Sequence, residues 1–591
     1  MIKIGLLKEY VKPYKSQVII NAIVKMLGTI LEVVLPTILA FVVDDIIPAE
    51  NRNKIVFWGL IMIVLSIGAW ILNIIANRMA SKTSALTIQN IRQNLFRKSM
   101  GLSARQIDDI GIASLESRMT SDTYVVHRFL GVTLRMGIRS IMLFLGGVIF
   151  CFYLSWRLAL ILVVLIVPIT FIVRYIFTRA IPLFRNLQKR LDAMVQVIRE
   201  NIRGIRVSKA LVKTEYEKER YEEYNKNVAK GEIQAHDQMA MMHPAVNIIL
   251  YGGLAIVIIL GAYLANEGLI LSGTIMAFLS YFIQITNSLM GLNRMFNIYN
   301  RAVASSGRIE EILNKPIDKN QIVENPVGLP EAREDVPEVE FKNVSFSYLE
   351  KVDDVSNISF KVYPGETFGI MGPTGSGKST IIRLLLRQYD PDEGEILVRG
   401  VNIKNLKHSD LNRIFGIVFQ NDFLYRGTVR ENIDFGRDLN DQEIKQATEY
   451  AQAEEFLQDK EGGLDFELAS KGVNLSGGQK QRLLLSRALA SDPDILILDD
   501  SASALDFQTE SKLRQAINKN FNKTTSFIIA QRVSSVSHAE QILMLESGDM
   551  LALGSHEELL ETCAPYREIA NMQLGPTDKD SNGEEVSYAG N

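Results

Sequence analysis

Apolar residues are distributed unevenly along this chain of 591 residues. Six stretches are long and apolar enough to cross a bilayer, which takes about 20 apolar residues in a helix. We predict spanning helices at about 17–46, 55–77, 137–154, 157–178, 245–265 and 270–290. Residues 338–572 instead have the mixed pattern of a soluble domain. The pattern predicts a helical membrane region followed by a separate soluble domain.

The connections between the predicted spans alternate between short and long. The long ones, 78–135 and 179–243, are rich in Lys and Arg. Apolar residues recur in them at helical spacing, as at Leu187, Leu191 and Met194. Because positively charged connections stay in the cytoplasm, we predict that both long connections, both termini and the soluble domain are cytoplasmic. The membrane helices are then expected to continue into the cytosol.

Composition predicts the domain boundaries. Residues 313–337 contain four prolines among charged residues, which is typical of a linker. Strands and helices alternate from residue 338 on, as in an α/β domain, and the polar, acidic residues at the end predict a disordered tail. We predict a transmembrane domain at 1–312, a linker at 313–337, an α/β domain at 338–572 and a tail at 573–591.

Charge and cysteine content narrow the function classes. A formal net charge of −3 gives no reason to expect a nucleic-acid partner. The two cysteines, Cys151 and Cys563, imply no disulfide framework. Four lysines among apolar residues in the first fifteen positions predict an amphipathic helix on the inner membrane face, and not a cleaved signal.

The soluble domain contains a phosphate-binding loop near its start. Residues 372–379 read GPTGSGKS, between a predicted buried strand at 368–371 and a predicted helix at 380–387. The glycines let backbone N–H groups converge on phosphate oxygens, while Lys378 reaches the β- and γ-phosphates and Ser379 offers its hydroxyl to Mg²⁺. A plain glycine-rich turn is the alternative, and the flanking strand and helix disfavour it.

A second strand ends in two acids. Residues 495–500 read ILILDD, which suits a buried parallel strand with its acids at the carboxyl edge, where ligands bind. We predict that Asp499 holds Mg²⁺ and that Asp500 orients the attacking water. The alternative is a strand that merely ends in acids at the surface.

The run LSGGQ at 475–479 opens a predicted helix with Ser476 as its N-cap and with glycines that expose N–H groups to an anion. With these motifs in this order, the chain resembles the ATP-binding-cassette (ABC) transporters, specifically the half-transporter exporters with six spanning helices before the motor domain. The resemblance covers about residues 10–572. It implies an α-helical transmembrane bundle with cytosolic extensions, followed by an α/β P-loop NTPase domain that is the nucleotide-binding domain.

The resemblance also implies site residues and cofactors. ATP and Mg²⁺ are the expected cofactors, with Tyr348 stacking on adenine and residues 503–506 forming the loop that crosses to a partner motor. The expected nucleotide-binding residues are Tyr348, Thr374, Gly375, Ser376, Gly377, Lys378, Ser379, Thr380, Gln420, Ser476, Gly477, Gly478, Gln479 and Asp506. The expected Mg²⁺ ligands are Ser379, Gln420 and Asp499.

Three positions depart from the family pattern. Asp500 stands where the family usually has Glu, Gln531 stands where it has a switch His, and residues 468–472 read LASKG, without the usual Glu. The Asp carboxylate is one methylene shorter, and a misplacement of that size costs about 100-fold in rate. Gln531 can donate a hydrogen bond but cannot carry a proton. We therefore predict, with Asp500 and Gln531 in the catalytic positions, that ATP binds but is cleaved slowly.

In the family, two motors pair head to tail, and each ATP lies between one phosphate loop and the other signature. The expected protein is therefore the weakened-site subunit of a bacterial heterodimeric multidrug exporter in the plasma membrane, with Ser476 and Gly478 completing an active site on a homologous half-transporter. The expected cargo is hydrophobic or amphipathic small molecules or lipids. The alternatives are a homodimeric exporter and a regulatory, ATP-gated channel-like subunit.

The membrane helices and their connections also contain candidate cavity and coupling residues. Lys25 and Glu32 lie two turns apart in the first span, and ionisable groups inside membranes are functional candidates, with an ion pair at the cytoplasmic end as the alternative. Short coupling helices are expected by family analogy at about 108–115 and 213–219. Residues that line a soft cavity or simply pack are Met276, Phe282, Gln284, Asn287 and Met290.

Overall fold

The computed structural model describes residues 5–316, 326–348, 353–420, 422–501 and 504–574. These residues form two compact units. The first contains residues up to 100 and residues 113–315, and the second contains residues 101–112 and everything from 316 on. Residues 317–325 of the predicted linker, Ser503 and the tail beyond residue 574 lie outside the described residues, and the predicted domain boundaries stay a prediction.

The helices up to residue 315 include very long ones. In chain order they are α1 Gly5–Val11, α2 Lys15–Phe41, α3 Arg52–Met100, α4 Ala104–Ile110, α5 Ile112–Ser117, α6 Thr123–Val132, α7 Ile138–Leu154, α8 Trp156–Arg203, α9 Ile205–Ala210, α10 Thr214–Ala240, α11 Met242–Asn266 and α12 Ser272–Leu313. All belong to the first unit except α4 and Ile112, the first residue of α5. Three π-helical turns interrupt them, at Val42–Ile46, Arg118–Asp122 and Thr133–Gly137.

Six helical stretches of the described chain are long and apolar enough to cross a membrane. They are Leu7–Ile46, Arg52–Met100, Ile112–Leu154, Trp156–Arg203, Thr214–Asn266 and Ser272–Leu292. At 1.5 Å per residue, α8 alone is about 72 Å long, which is more than twice the hydrocarbon thickness of a bilayer. The predicted fold class, a six-helix bundle with long helical extensions before an α/β domain, is confirmed.

The core of the helical unit lies among α2, α7, α8, α11 and α12. Tyr281 on α12 is fully buried there, and its hydroxyl donates to the carbonyl of Val33 on α2 at 2.6 Å. Phe282, which the sequence offered as a cavity residue, packs in the same core and is 4% exposed. The packing alternative therefore describes Phe282, whereas Met276 is half exposed.

The second unit is built on a ten-stranded sheet within the described residues. The strands of the unit are β1 Val339–Phe346, β2 Val355–Val362, β3 Thr367–Met371, β4 Glu393–Val398, β5 Val401–Asn402, β6 Phe415–Val418, β7 Gly427–Thr428, β8 Glu467–Leu468, β9 Ile495–Asp499, β10 Thr525–Ile529, β11 Gln541–Glu546 and β12 Asp549–Gly554. The order in the large sheet is β5-β4-β1-β2-β12-β11-β3-β10-β9-β6, and β7 pairs with β8 separately.

Parallel pairing places the predicted motifs at one edge of this sheet. Strands β3, β10, β9 and β6 run parallel, and β3 and β9 are almost continuously apolar and buried, as strands covered on both faces must be. The carboxyl ends of β3 and β9 carry the phosphate loop and the acid pair. Ligands of open α/β sheets bind at this edge.

Helices surround the sheet. They are α13 Lys378–Leu385, α14 His408–Arg413, α15 Val429–Asp434, α16 Asp441–Tyr450, α17 Glu454–Gln458, α18 Gly477–Leu489, α19 Phe507–Asn520, α20 Val533–Val536, α21 His556–Thr562 and α22 Ala564–Leu574. The short helix α4 also belongs to this unit. A capping box of Ser103 and Gln106 begins α4, and the Gln106 amide also donates to the Pro316 carbonyl at 3.0 Å.

Candidate nucleotide site

The phosphate loop has a backbone that only glycine tolerates at two points. Gly372 has φ +148°, and a Cβ there would lie 2.3 Å from the Leu545 carbonyl oxygen. Gly377 has φ +96°, and its Cβ would lie 2.8 Å from the Asp354 carbonyl oxygen. The chain therefore turns tightly from β3 into α13, and the N-terminal N–H groups of α13 open towards the loop.

Lys378 is folded onto its own loop. Its ammonium donates to the carbonyl oxygens of Gly372 at 2.8 Å and Pro373 at 2.7 Å. Burial lowers the pKa of Lys378, and the carboxylates of Asp499 and Asp500 oppose that shift. A partly buried lysine with acids on one side and an open loop on the other is suited to anionic oxygens of a phosphate.

Ser379 and Asp499 meet between α13 and β9. The Ser379 hydroxyl donates to the Asp499 carboxylate at 3.1 Å, and Asp499 is 6% exposed. Burial raises the pKa of Asp499, and the hydrogen bond from Ser379 partly offsets it. A hydroxyl and a carboxylate at hydrogen-bond distance are hard oxygen donors of the kind that Mg²⁺ takes together with phosphate oxygens.

Asp500 follows with a left-handed backbone, φ +51°. Its N–H donates to the Ile529 carbonyl at 2.9 Å, which ties it to β10. The Gln420 amide lies 3.4 Å from the Asp500 carboxylate. Gln420, which the sequence assigned to Mg²⁺, and Asp500, which it assigned to the attacking water, are therefore neighbours.

One cavity of about 220 Å³ is lined by seven of the fourteen predicted nucleotide-binding residues. Its lining includes Thr374, Gly375, Gly377, Lys378, Ser379, Thr380, Gln420, Asp499, Asp500 and Gln531. Asp354, which the sequence did not single out, also lines it. Two of the three departures from the family pattern, Asp500 and Gln531, thus face the same space as the phosphate loop.

Tyr348 lies outside this lining but is firmly held. Its N–H donates to the Asp354 carboxylate at 2.9 Å, and its hydroxyl accepts from Arg383 at 3.2 Å. Its ring meets Tyr389 edge to face, with 5.1 Å between ring centroids. The tyrosine is therefore fixed to Asp354, which lines the cavity.

The signature residues lie in a separate place from this cavity. Ser476 and Gln479 form a capping box at the start of α18, in which the Ser476 hydroxyl accepts from the Gln479 N–H at 3.2 Å. The predicted N-cap role of Ser476 is seen directly. Gly477 and Gly478 occupy the first turn, and both pack against Ala504.

Gln481 is a residue that the sequence reasoning missed. Its amide nitrogen donates to the Asp500 carbonyl at 3.2 Å, and its amide oxygen accepts from the Ala504 N–H at 3.0 Å. The signature helix is thereby joined to the segment that follows β9. The signal in the sequence is only a glutamine one turn into the helix, which no periodicity distinguishes.

Asp506 ends that segment and caps the next helix. Its carboxylate accepts from the Thr509 N–H at 2.9 Å and from the Thr509 hydroxyl at 2.7 Å. These bonds lower the pKa of Asp506. Asp506 therefore has a local structural role in starting α19, whatever it contacts on a partner.

The residues present fit a nucleotide phosphate. The Ser376 hydroxyl is buried at 1% exposure and has no hydrogen-bond partner among the described residues. The backbone at Gly375 is left-handed, φ +85°, with open space beside it. A buried hydroxyl of the phosphate loop that lacks a partner is a donor that an anionic oxygen would satisfy.

The fold and this site define a class: a membrane protein whose spanning helices precede a phosphate-binding motor domain. Residues 18–289 match the family described as the ABC transporter transmembrane region, and residues 355–503 match the family described as ABC transporter. The chain belongs to the ABC transporter family, as a half-transporter with its transmembrane domain before its ATP-binding domain.

Known relatives span the whole chain. The uncharacterised ABC transporter ATP-binding protein YfiB of Bacillus subtilis is 31% identical over 97% of this chain and 99% of its own length. The ATP-dependent lipid A-core flippase of Escherichia coli is 28% identical over 96% of this chain and 97% of its own length. The ATP-bound structure of a bacterial Atm1-family ABC exporter superposes with a TM-score of 0.78 at 22% identity, covering 95% of this chain and 99% of that one, which shows the shared fold.

These likenesses confirm four of the expectations from the sequence. The chain is a multipass membrane protein, it has the exporter fold, it has an ATP-binding domain, and it is an ATPase-coupled transporter. The partner, the weakened site, the cargo and the role of Mg²⁺ remain proposals.

Proposed function

We propose that this chain is the weakened-site subunit of a heterodimeric exporter that moves hydrophobic or amphipathic molecules or lipids out across the plasma membrane. Its termini and motor domain are cytoplasmic. The observation that carries the proposal is that Asp500 and Gln531 both line the cavity of the phosphate loop. These two of the three departures from the family pattern therefore concern the reaction itself and not the periphery of the domain.

The phosphate side of this site keeps what binding needs. Lys378 and the glycine loop bind the β- and γ-phosphates, and Ser379, Asp499 and Gln420 hold Mg²⁺, which neutralises charge on the phosphates. Tyr348 stacks on adenine. Binding energy for MgATP is thus retained, and ATP binding can close the motor pair.

The hydrolytic side is weakened. The Asp500 side chain is one methylene shorter than that of Glu. Its backbone is bonded to Ile529, so the carboxylate cannot move closer to the attacking water. Gln531 can donate a hydrogen bond to a phosphate oxygen, but its amide has no net charge and no proton to transfer. Cleavage at this site is therefore slow compared with binding.

The signature, in contrast, is intact. Ser476 caps α18, and the glycines leave the first-turn N–H groups of a 13-residue helix available to an anion. In a homodimer this signature would serve only weakened sites. In a heterodimer it completes a fully active site with the phosphate loop of a homologous partner, which favours the heterodimer.

A charged cluster in the membrane region supports an amphipathic cargo. Lys25 donates to the Asn77 side chain at 3.0 Å, and Glu32 pairs with Arg139 on α7, with 3.2 Å between Arg139 Nε and the carboxylate. They line a cavity of about 610 Å³ that also contains Arg135 and Trp70. Charges of both signs beside apolar walls suit a cargo with a polar head and an apolar body. The likeness to a lipid A-core flippase agrees with this class.

The test begins with purification of the tagged chain from its native membranes and identification of co-purifying polypeptides. Nucleotide trapping is then compared for the parent complex and for Lys378→Ala. We expect Lys378→Ala to abolish trapping on this chain while turnover on the partner continues. Brisk hydrolysis by the chain alone would establish the homodimer, and a current without uptake into inside-out vesicles would establish the gated channel.

A further inference from the structure

The last helix of the described chain contacts the loop that carries Gln531 through one side chain. Gln573 lies in the final turn of α22. Its amide oxygen accepts from the Val533 N–H at 2.8 Å, and its amide nitrogen donates to the Gln531 carbonyl at 3.0 Å. One side chain therefore binds the main chain on both sides of Arg532.

The packing of α22 determines where Gln573 points. Tyr566 and Ala570 are buried, and Gln573 follows them at i+7 and i+3, on the same face of the helix. This face packs in a cluster that contains Val533 and Val536 of α20. Burial of the apolar residues thus carries Gln573 to the loop between β10 and α20.

The main chain on either side of Gln531 makes longer hydrogen bonds. The Ala530 N–H donates to the Ile370 carbonyl at 3.3 Å, and the Ser535 N–H donates to the Arg532 carbonyl at 3.2 Å. The two bonds of Gln573 are shorter than both. Gln573 is itself an exposed residue, and its bond to the Gln531 carbonyl adds a restraint on the Gln531 main chain.

The nature of Gln531 makes this support important. A charged switch residue would be drawn to a phosphate by electrostatic attraction, whereas the Gln531 amide has no net charge and offers only its hydrogen bonds. Its placement in the cavity then rests mainly on its backbone. A restraint on the 531–533 main chain keeps the side chain directed at the space that it lines with Lys378 and Asp499.

We propose that Gln573 is a positioning residue that holds Gln531 in the nucleotide cavity and thereby prolongs the time that ATP stays enclosed at this site. This inference rests on the proposed role of Gln531 at the γ-phosphate. It makes the C-terminal helix α22 a working part of the site, and it deepens the proposed function by explaining how a site that cleaves slowly retains its nucleotide.

The test measures release of labelled MgATP from this chain's own site, in the complex as purified and embedded in nanodiscs. Gln573→Met keeps the length of the side chain and removes both hydrogen bonds, and we expect release about 10-fold faster, since each bond contributes a factor of about 2 to 10. Gln573→Glu keeps the acceptor for the Val533 N–H and loses the donor to the Gln531 carbonyl. Its rate of ATP release should therefore lie between those of the parent and Gln573→Met. Met572→Gln, at an exposed neighbouring position on α22, is the matched control and should release ATP at the parent rate.

A double mutant separates positioning from mere stability. In a Gln531→Ala background, Gln573→Met should change release no further, because its effect passes through Gln531. An equal effect of Gln573→Met with and without Gln531 would overturn the proposal, as would parent-like release in Gln573→Met itself. If Gln531→Ala leaves release unchanged while Gln573→Met speeds it, the route through Gln531 is refuted. A homodimeric assembly would refute the asymmetric pump, but these comparisons of release rates would still hold. If Gln573→Met fails to fold, Gln573→Asn takes its place.

Discussion

The Gln420 amide nitrogen lies 3.4 Å from the Asp500 carboxylate, across the cavity that the phosphate loop lines. Asp500 has a left-handed backbone whose N–H is bonded to Ile529. Because this hydrogen bond holds the backbone of Asp500, the backbone cannot shift to compensate for the methylene that Asp lacks relative to Glu. The length of the residue at position 500 therefore decides where its carboxylate falls.

Lengthening that residue should restore hydrolysis. We expect Asp500→Glu combined with Gln531→His to raise ATP cleavage at this chain's own site by up to about 100-fold, because the carboxylate then reaches the attacking water. Asp500→Asn should lower cleavage further and leave MgATP binding unchanged. Single-turnover hydrolysis, with label retained on this chain, measures both. Cleavage by the double variant no faster than in the parent would contradict the weakened-site interpretation.

Local signals made much of this protein predictable. The six spans and the phosphate loop depend on runs of neighbouring residues, and β3 and β9 begin within a residue of where the sequence placed them. Contacts between distant residues were beyond such reasoning. Glu32 pairs with Arg139, which is 107 residues away, and not with Lys25, which shares its helix.

The signature predicts a second result. Ser476→Ala removes the cap of α18, at a cost of about 1 kcal/mol, and also removes a hydroxyl from the surface offered to the partner's nucleotide. We expect turnover of the complex to fall at least tenfold while MgATP binding at this chain's own site persists. Steady-state phosphate release and nucleotide labelling of each subunit measure the two effects.

A matched control exists for that substitution. Ser555 forms the same capping box with Glu558 at the start of α21. Ser555→Ala should lower thermal stability by a similar amount and leave turnover near the parent rate. Equal losses of turnover in Ser555→Ala and Ser476→Ala would reduce the role of Ser476 to stability alone.

The ion pair in the membrane region predicts a compensating pair of substitutions. Glu32→Gln leaves Arg139 without its counter-ion, and Arg139→Met leaves Glu32 without one, so each should destabilise the protein by about 2 to 3 kcal/mol. The double variant should recover most of that loss, because no unpaired charge remains. Thermal unfolding in nanodiscs gives the cycle, with Glu267→Gln in a short exposed connection as the control. Additive losses would show that the two side chains do not interact.

Tyr389 connects Tyr348, the residue predicted to stack on adenine, to α4. Its hydroxyl donates to the Asp108 carboxylate, and its ring meets Tyr348 edge to face. Burial and the Asp108 carboxylate both raise the pKa of Tyr389, so the phenol remains a protonated donor at every working pH. Asp108 lies in the predicted coupling segment. Tyr389 therefore joins the residues expected for nucleotide binding to those expected for coupling, and substitutions can separate the two roles.

We expect Tyr389→Phe to keep the ring contact and lose the bond to Asp108. ATP affinity should then stay within about twofold, while the stimulation of ATP turnover by transported substrate falls, because α4 is no longer tied to the residue that packs on Tyr348. Tyr389→Leu also removes the aromatic pair, which contributes about 0.5 to 1.5 kcal/mol, so ATP affinity should fall about 3- to 10-fold as well. Equilibrium nucleotide binding and substrate-stimulated hydrolysis distinguish the two losses. If Tyr389→Phe weakens ATP binding as much as Tyr389→Leu does, the hydroxyl serves the nucleotide site and not the connection to α4.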